Sequence, residues 1–161
     1  AELSQEGLVV GLSVSGPRQA DIIRRALEVD VDGINPFRCV QATWNLLEQS
    51  AEPALEEAHR AGWGVIVKEA LANGRLVAGG DAIRVEKVSR PLGVNPDAVA
   101  IAACLSRPWA DVVLSGATSV AQLRSNLDAL TLDAEELLGD LASWRQHPDE
   151  YWETRSSLPW R

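Results

Sequence analysis

The sequence predicts an α/β fold built on a parallel sheet, and three observations carry that expectation. A short β-branched run followed by an amphipathic helical stretch occurs four times. Turn and capping signals such as Ser15-Gly16-Pro17, Asn73-Gly74 and Asn95-Pro96 separate these runs. The composition, 46% hydrophobic and 24% charged over 161 residues, is that of one soluble globular domain spanning 1–161 with a core of ordinary size.

The first unit places a buried strand at 8–14, a turn at 15–17 and a helix at 18–29. Ile22, Ile23, Ala26 and Leu27 share one helix face, and Asp21, Arg24, Arg25 and Glu28 share the other. The second unit has a strand at 38–43 and a helix at 53–61, with Pro53 suited to the first turn and Gly62 to the stop. A third strand, 64–68, leads into a glycine-rich connection, a short helix at 82–90, and a main helix opened by Asn95-Pro96-Asp97. The body of that helix, 98–105, is apolar nearly all round and should be deeply covered. The fourth strand, 111–115, passes through Gly116-Ala117-Thr118 into a helix with Ser119 and Gln122 as a capping box. Val120, Leu123, Leu127 and Leu130 recur along it at heptad-like spacing. A last helix, capped by Asp133 with Glu136 three residues on, should carry Leu137, Leu138, Leu141 and Trp144 inward. The tail beyond Pro148 holds Tyr151, Trp152 and Trp160 and should pack back over the domain.

Composition excludes several functions. A net charge of −8 argues against a nucleic-acid footprint, which needs a basic face. The longest apolar run spans eight residues, against about 20 needed to cross a bilayer, so no membrane partner is expected. Cys39 and Cys104 sit in apolar stretches without metal-ligand spacing, as reduced thiols do in a cytoplasmic protein. Length excludes a closed eightfold (β/α) barrel, which takes about 250 residues.

Function in parallel α/β folds gathers at the carboxyl ends of the strands. No Ser-His-Asp or Cys-His set stands there, nor a metal-ligand cluster. The most distinctive group is Ser115-Gly116-Ala117-Thr118-Ser119 at a helix start, where amides and hydroxyls can hold a phosphate or simply cap the helix. Lys68, beside Glu69, can neutralise an anion, act as an acid or base, or form a salt bridge with a neighbouring element. Gln41 and Asn45 offer amides around Trp44, whose ring can stack on a ligand or pack in the core. Asn73-Gly74 reads as a turn.

In order along the chain, EGLVVGLSVSG, VQATWNLLE, GWGVIVKEALANGRL and DVVLSGATSVAQLRSNLDAL resemble the C-terminal half of the aldo-keto reductase family. The resemblance implies barrel strands five to eight: half of a (β/α)8 barrel, with four βα units over 8–130 and an extra C-terminal helix and aromatic tail over 131–161. It also implies NAD(P)H-dependent interconversion of carbonyls and alcohols. By the same resemblance, Ser13 and Gln41 hold the nicotinamide carboxamide, with Lys68 where the family has a stacking aromatic and Val14 where it often has Asn. Leu71 and Asn73 flank the pyrophosphate. Ser115, Gly116, Thr118, Ser119, Gln122 and Asn126 line the adenosine-phosphate end. Gly116 and Gln122 stand where basic residues often grip a 2′-phosphate, so the cofactor expected is NADP or NAD. The family's catalytic Asp, Tyr, Lys and His come from the first four strands, so these residues alone should be inactive. Two open edges and a bare inner face call for cover by a second copy, by a complementary N-terminal half or by the tail. A non-catalytic assembly or ligand-binding module is the competing expectation.

Overall fold

Four parallel strands lie in the order β1-β2-β3-β4. They are β1 (Val10–Ser13), β2 (Phe37–Thr43), β3 (Gly64–Lys68) and β4 (Val112–Val113). The computed structural model describes residues 6–80 and 83–159. Seven α-helices accompany the strands in the described residues: α1 (Gln19–Leu27), α2 (Glu52–Arg60), α3 (Ile83–Leu92), α4 (Pro96–Leu105), α5 (Val120–Leu127), α6 (Ala134–Leu138) and α7 (Pro148–Ser157). This arrangement is a partial (β/α) barrel. Ala82, the expected start of α3, and Trp160 of the tail lie outside the described residues.

Alternation along the strands decides which face is core. Val40 and Ala42 of β2 and Val65 and Val67 of β3 are fully buried in one cluster with Ile23 of α1, Leu55 and Ala58 of α2, and Val99 and Ala103 of α4. Helix α4 is buried from Pro96 through Cys104, as its all-round apolar sequence predicts. An ion pair from Arg24 to Glu57, 3.0 Å, ties the exposed sides of α1 and α2 together.

The other face has no such cover. Gly11 and Ser13 are exposed, Cys39, Gln41, Ile66 and Lys68 are half-buried, and Val112 at the edge is 47% exposed. Parallel sheets are ordinarily covered on both faces, so this face is an unfinished surface. The apolar stripe of α5 is in the same condition. Val120, Leu123 and Leu127, with Leu130 of the following 3-10 turn, are 45–70% exposed.

Most boundaries fall within two residues of expectation, but β4 pairs over only two residues and β1 over four. The single helix expected after Asp133 is two pieces. Asp133 caps α6 through the amides of Glu135 and Glu136, then Gly139 turns to φ 58° and Asp140 caps a separate 3-10 turn, Leu141–Trp144. The glycine supplies the left-handed turn that ends the helix. Leu138, Leu141 and Trp144 are still buried.

Where β1 meets β2 the chains leave no room for a side chain. A Cβ on Gly11 would stand 2.2 Å from Cys39 Sγ and 2.7 Å from the Cys39 carbonyl oxygen. The thiol can rotate away, but the carbonyl is held in the ladder. Gly11→Ala is therefore expected to destabilise by about 2 kcal/mol in urea unfolding, and adding Cys39→Ala should restore only part of that loss.

Candidate functional site

The carboxyl ends of the strands bring most of the expected residues to one end of the sheet. Ser13 ends β1 and pairs in register with Gln41 of β2, and Lys68 ends β3. The spacing of two puts all three on the open face. There Lys68 Nζ donates to Ser13 Oγ at 3.1 Å and to Ser15 Oγ at 2.8 Å, spanning β2 to reach β1. The salt bridge considered for Lys68 is absent among the described residues. Burial depresses the Lys68 pKa, opposed by the Glu69 carboxylate and reinforced by the Arg155 guanidinium.

Glu69 faces the other way. Its carboxylate accepts from Arg155 of α7 at 3.0 and 3.3 Å. With its oxygen turned toward Arg155, the Asn73 amide accepts from Nε of the same guanidinium at 2.6 Å. Glu69, Ala72 and Asn73 all hold positive φ, between 47° and 56°. Three non-glycine residues in that region within five positions mark a loop held in shape by its surroundings. Leu71, half-buried, packs against the core below it.

The tail is what holds this loop. Tyr151 of α7 is fully buried and accepts a hydrogen bond from Asn45 Nδ2 at 3.0 Å, while the same amide donates to the Glu69 carbonyl at 3.0 Å. Asn45 Oδ1 accepts from the amides of Leu47 and Glu48. The Arg75 guanidinium lies 5.7 Å from the Tyr151 ring centre. Asn45 is therefore committed to the fold, and its expected role as a ligand amide is corrected. Of the two expectations for Trp44, packing in the core holds: it is fully buried edge-to-face on Trp109 at 5.6 Å. The described tail does not cover the open sheet face. It caps the ends of β2 and β3, because Tyr151 and Arg155 have their polar partners there.

Sequence reasoning missed this latch, and it missed Gln19. That side chain is fully buried, donating to the Thr43 carbonyl at 2.9 Å and accepting from the Thr43 amide at 3.2 Å. It closes the last open backbone pair of β2.

Burial pushes the Tyr151 phenol above the usual phenol range. Tyr151 is the only tyrosine, so an ultraviolet titration reads it alone. The folded chain should show no tyrosinate near pH 10, where a free phenol is about half ionised. Above that pH the unfolded state loses the proton first, so stability should fall as pH rises. A tyrosinate step at the free-phenol value would contradict the docking of α7.

At the fourth strand, the capping box expected at Ser119 is formed in full. Ser119 Oγ accepts from the Gln122 amide at 3.2 Å, and Gln122 Oε1 accepts from the amides of Ser119 and Thr118 and from the Thr118 hydroxyl. The Ala117 amide donates to Ser115 Oγ. Gly116, exposed at φ 66°, makes the turn. Asn126 is buried and donates to the Ser115 carbonyl at 3.2 Å, and its Oδ1 is buried without a partner. Gln122 thus points back into the turn, and the Thr118 and Ser119 amides are already engaged.

A cavity of about 510 Å³ lies elsewhere, walled by α2 and the α6 region. Arg107 there pairs with Glu52 at 3.5 Å and with Glu135 at 3.4 Å, while its Nε is buried without a partner. Among the described residues no group of His, Cys, Asp and Glu could hold a metal ion, and no helix is long and apolar enough to cross a membrane.

Comparison with known proteins agrees with this architecture. No curated protein matches the chain. The model of the aldo/keto reductase family matches residues 1–138, which takes in all four strands and ends with α6. With that match over most of its length, on a sheet of parallel βα units, the chain belongs to the aldo/keto reductase family.

Proposed function

We propose that the chain is the cofactor-binding half of an NAD(P)H-dependent aldo-keto reductase barrel, with β1 to β4 as barrel strands five to eight. Family membership supports an oxidoreductase-like function. The observation that carries the finer reading is the clustering of Ser13, Gln41 and Lys68 on the open face, at the end of the sheet that also bears the Leu71–Asn73 loop and the Ser115–Ser119 turn. The donor set fits a dinucleotide. Ser13 and Gln41 suit a carboxamide, Leu71 and Asn73 flank a pyrophosphate, and Gly116, Thr118 and Ser119 would take a phosphate once Gln122 Oε1 gives up the Thr118 and Ser119 amides. The orphaned Asn126 Oδ1 suits an exocyclic amine. When bound, the cofactor supplies the hydride, as NADP or NAD. The protein's own part is to orient it and keep water from the strand ends.

In this reading the Asp, Tyr, Lys and His that activate the carbonyl lie on the first four barrel strands, outside this chain. Tyr151 does not replace them, since its hydroxyl is buried against Asn45. The chain alone is inactive and works in the cytoplasm with its open face closed by a complementary N-terminal half or a second copy. Carbonyl reduction with NADPH by the purified chain should not exceed that of a denatured control, and turnover above it would overturn the reading. At micromolar concentration the chain should elute above its monomer mass, because β1, β4 and the α5 stripe are left bare. A strictly monomeric elution would remove self-association.

A non-catalytic ligand-binding or assembly module is the second reading. It is favoured by Lys68 and Val14 at the nicotinamide positions and by Gln122 occupying the amides a phosphate would take.

A further inference from the structure

The geometry points to Lys68 as a nucleophilic amine, set between the Ser13 and Ser15 hydroxyls on the open sheet face, that condenses with small aldehydes to form an imine. Its direct hydrogen-bond partners are neutral. Nζ donates to two hydroxyl oxygens, and among the described residues no carboxylate lies within ion-pair distance of it. The adjacent carboxylate, Glu69, is taken by Arg155. Partial burial loosens the hold on its proton and the Arg155 guanidinium adds to this, against the neighbouring Glu69 carboxylate, which is paired with Arg155 and makes no ion pair with Nζ. Its position is open to a reactant: Ser13 is exposed, and Ile66 and Val112 provide an apolar floor toward β4.

The step balances without a redox partner. The neutral Nζ attacks the carbonyl carbon, the C–N bond forms, and the carbonyl oxygen takes up a proton. The carbinolamine then loses water, with the nitrogen giving up its protons as the C=N bond forms. Each serine that accepts from Nζ still carries its own O–H, so Ser13 or Ser15 can pass a proton from nitrogen to the departing oxygen. This activity does not rest on the cofactor reading, and the two fail in separate experiments.

The chain contains only two lysines, Lys68 and Lys87, and the second is exposed on α3, so each molecule carries its own reference. The native chain is incubated near pH 7 with benzaldehyde and sodium cyanoborohydride, which reduces an imine to a stable amine. Proteolysis and mass spectrometry then give the labelling rate at each lysine. Lys68 is expected to label several-fold faster than Lys87. In the Ser13→Ala/Ser15→Ala chain the Lys68 rate should fall toward that of Lys87, which itself does not change. Equal rates in the native chain would overturn the proposal. So would inorganic phosphate protecting Lys68 without any enhanced labelling, which would make the site an anion site instead.

Discussion

Tyr151→Ala is expected to lower the unfolding free energy by about 3–5 kcal/mol, the range for truncating a buried aromatic. The ring is fully buried, stands edge-to-face with Trp152 at 5.4 Å and lies beneath the Arg75 guanidinium. Removing it opens a cavity where α7 meets the ends of β2 and β3. It also strips one partner from Asn45 Nδ2. Tyr151→Phe keeps the ring and loses the hydrogen bond alone, so it should cost about 1 kcal/mol. Urea unfolding gives both values. Limited proteolysis should cut the alanine variant between α6 and α7 before the rest of the chain is touched. If the two substitutions cost the same, packing is not what holds the tail.

The second large effect belongs to Asn45→Ala, at about 3 kcal/mol. Four hydrogen bonds converge on this buried amide: it accepts from Leu47 and Glu48 and donates to the Glu69 carbonyl and the Tyr151 hydroxyl, all at 2.9–3.0 Å. The Glu48 amide keeps the Asn45 backbone carbonyl, and the Glu69 carbonyl keeps the Ala72 amide. The Leu47 amide loses the partner described for it, and that desolvation is the larger part of the cost. A double-mutant cycle with Tyr151→Phe should return about 1 kcal/mol of coupling, because both residues share one bond. Coupling near zero would mean that the tail and the β2 loop are held independently.

These contacts also explain what the sequence could show and what it could not. Val40, Ala42, Val65 and Val67 declared a buried strand face because alternation and β-branching are local, and Ala98 to Cys104 declared a buried helix by being apolar all round. The box of Ser119 and Gln122 spans four residues and is legible in full. The Asn45–Tyr151 bond joins residues 106 positions apart, and no spacing rule reaches that far. Glu69 stands next to Lys68 in sequence, yet its carboxylate is held 86 positions away by Arg155, because the chain leaves β3 at Lys68 and Glu69 turns into the loop at φ 56°. Gln19 looks like an ordinary polar helix start until Thr43 is seen beside it. The stripe on α5 was legible as a pattern. Its partner was not, since the described residues contain no surface that covers it.

The candidate site divides in the same way. The resemblance groups Ser13, Gln41 and Lys68, and the parallel register sets them at one end of the sheet. What only side-chain geometry reveals is that Lys68 faces hydroxyls and that Gln122 fills the turn offered to a phosphate.

The proposal that this chain binds a nicotinamide cofactor is tested most directly by titrating NADPH into the purified chain and following tryptophan fluorescence. Saturable quenching, weakened by Asn126→Ala, is the predicted result. No response to NADPH or NADH from the folded chain would contradict it.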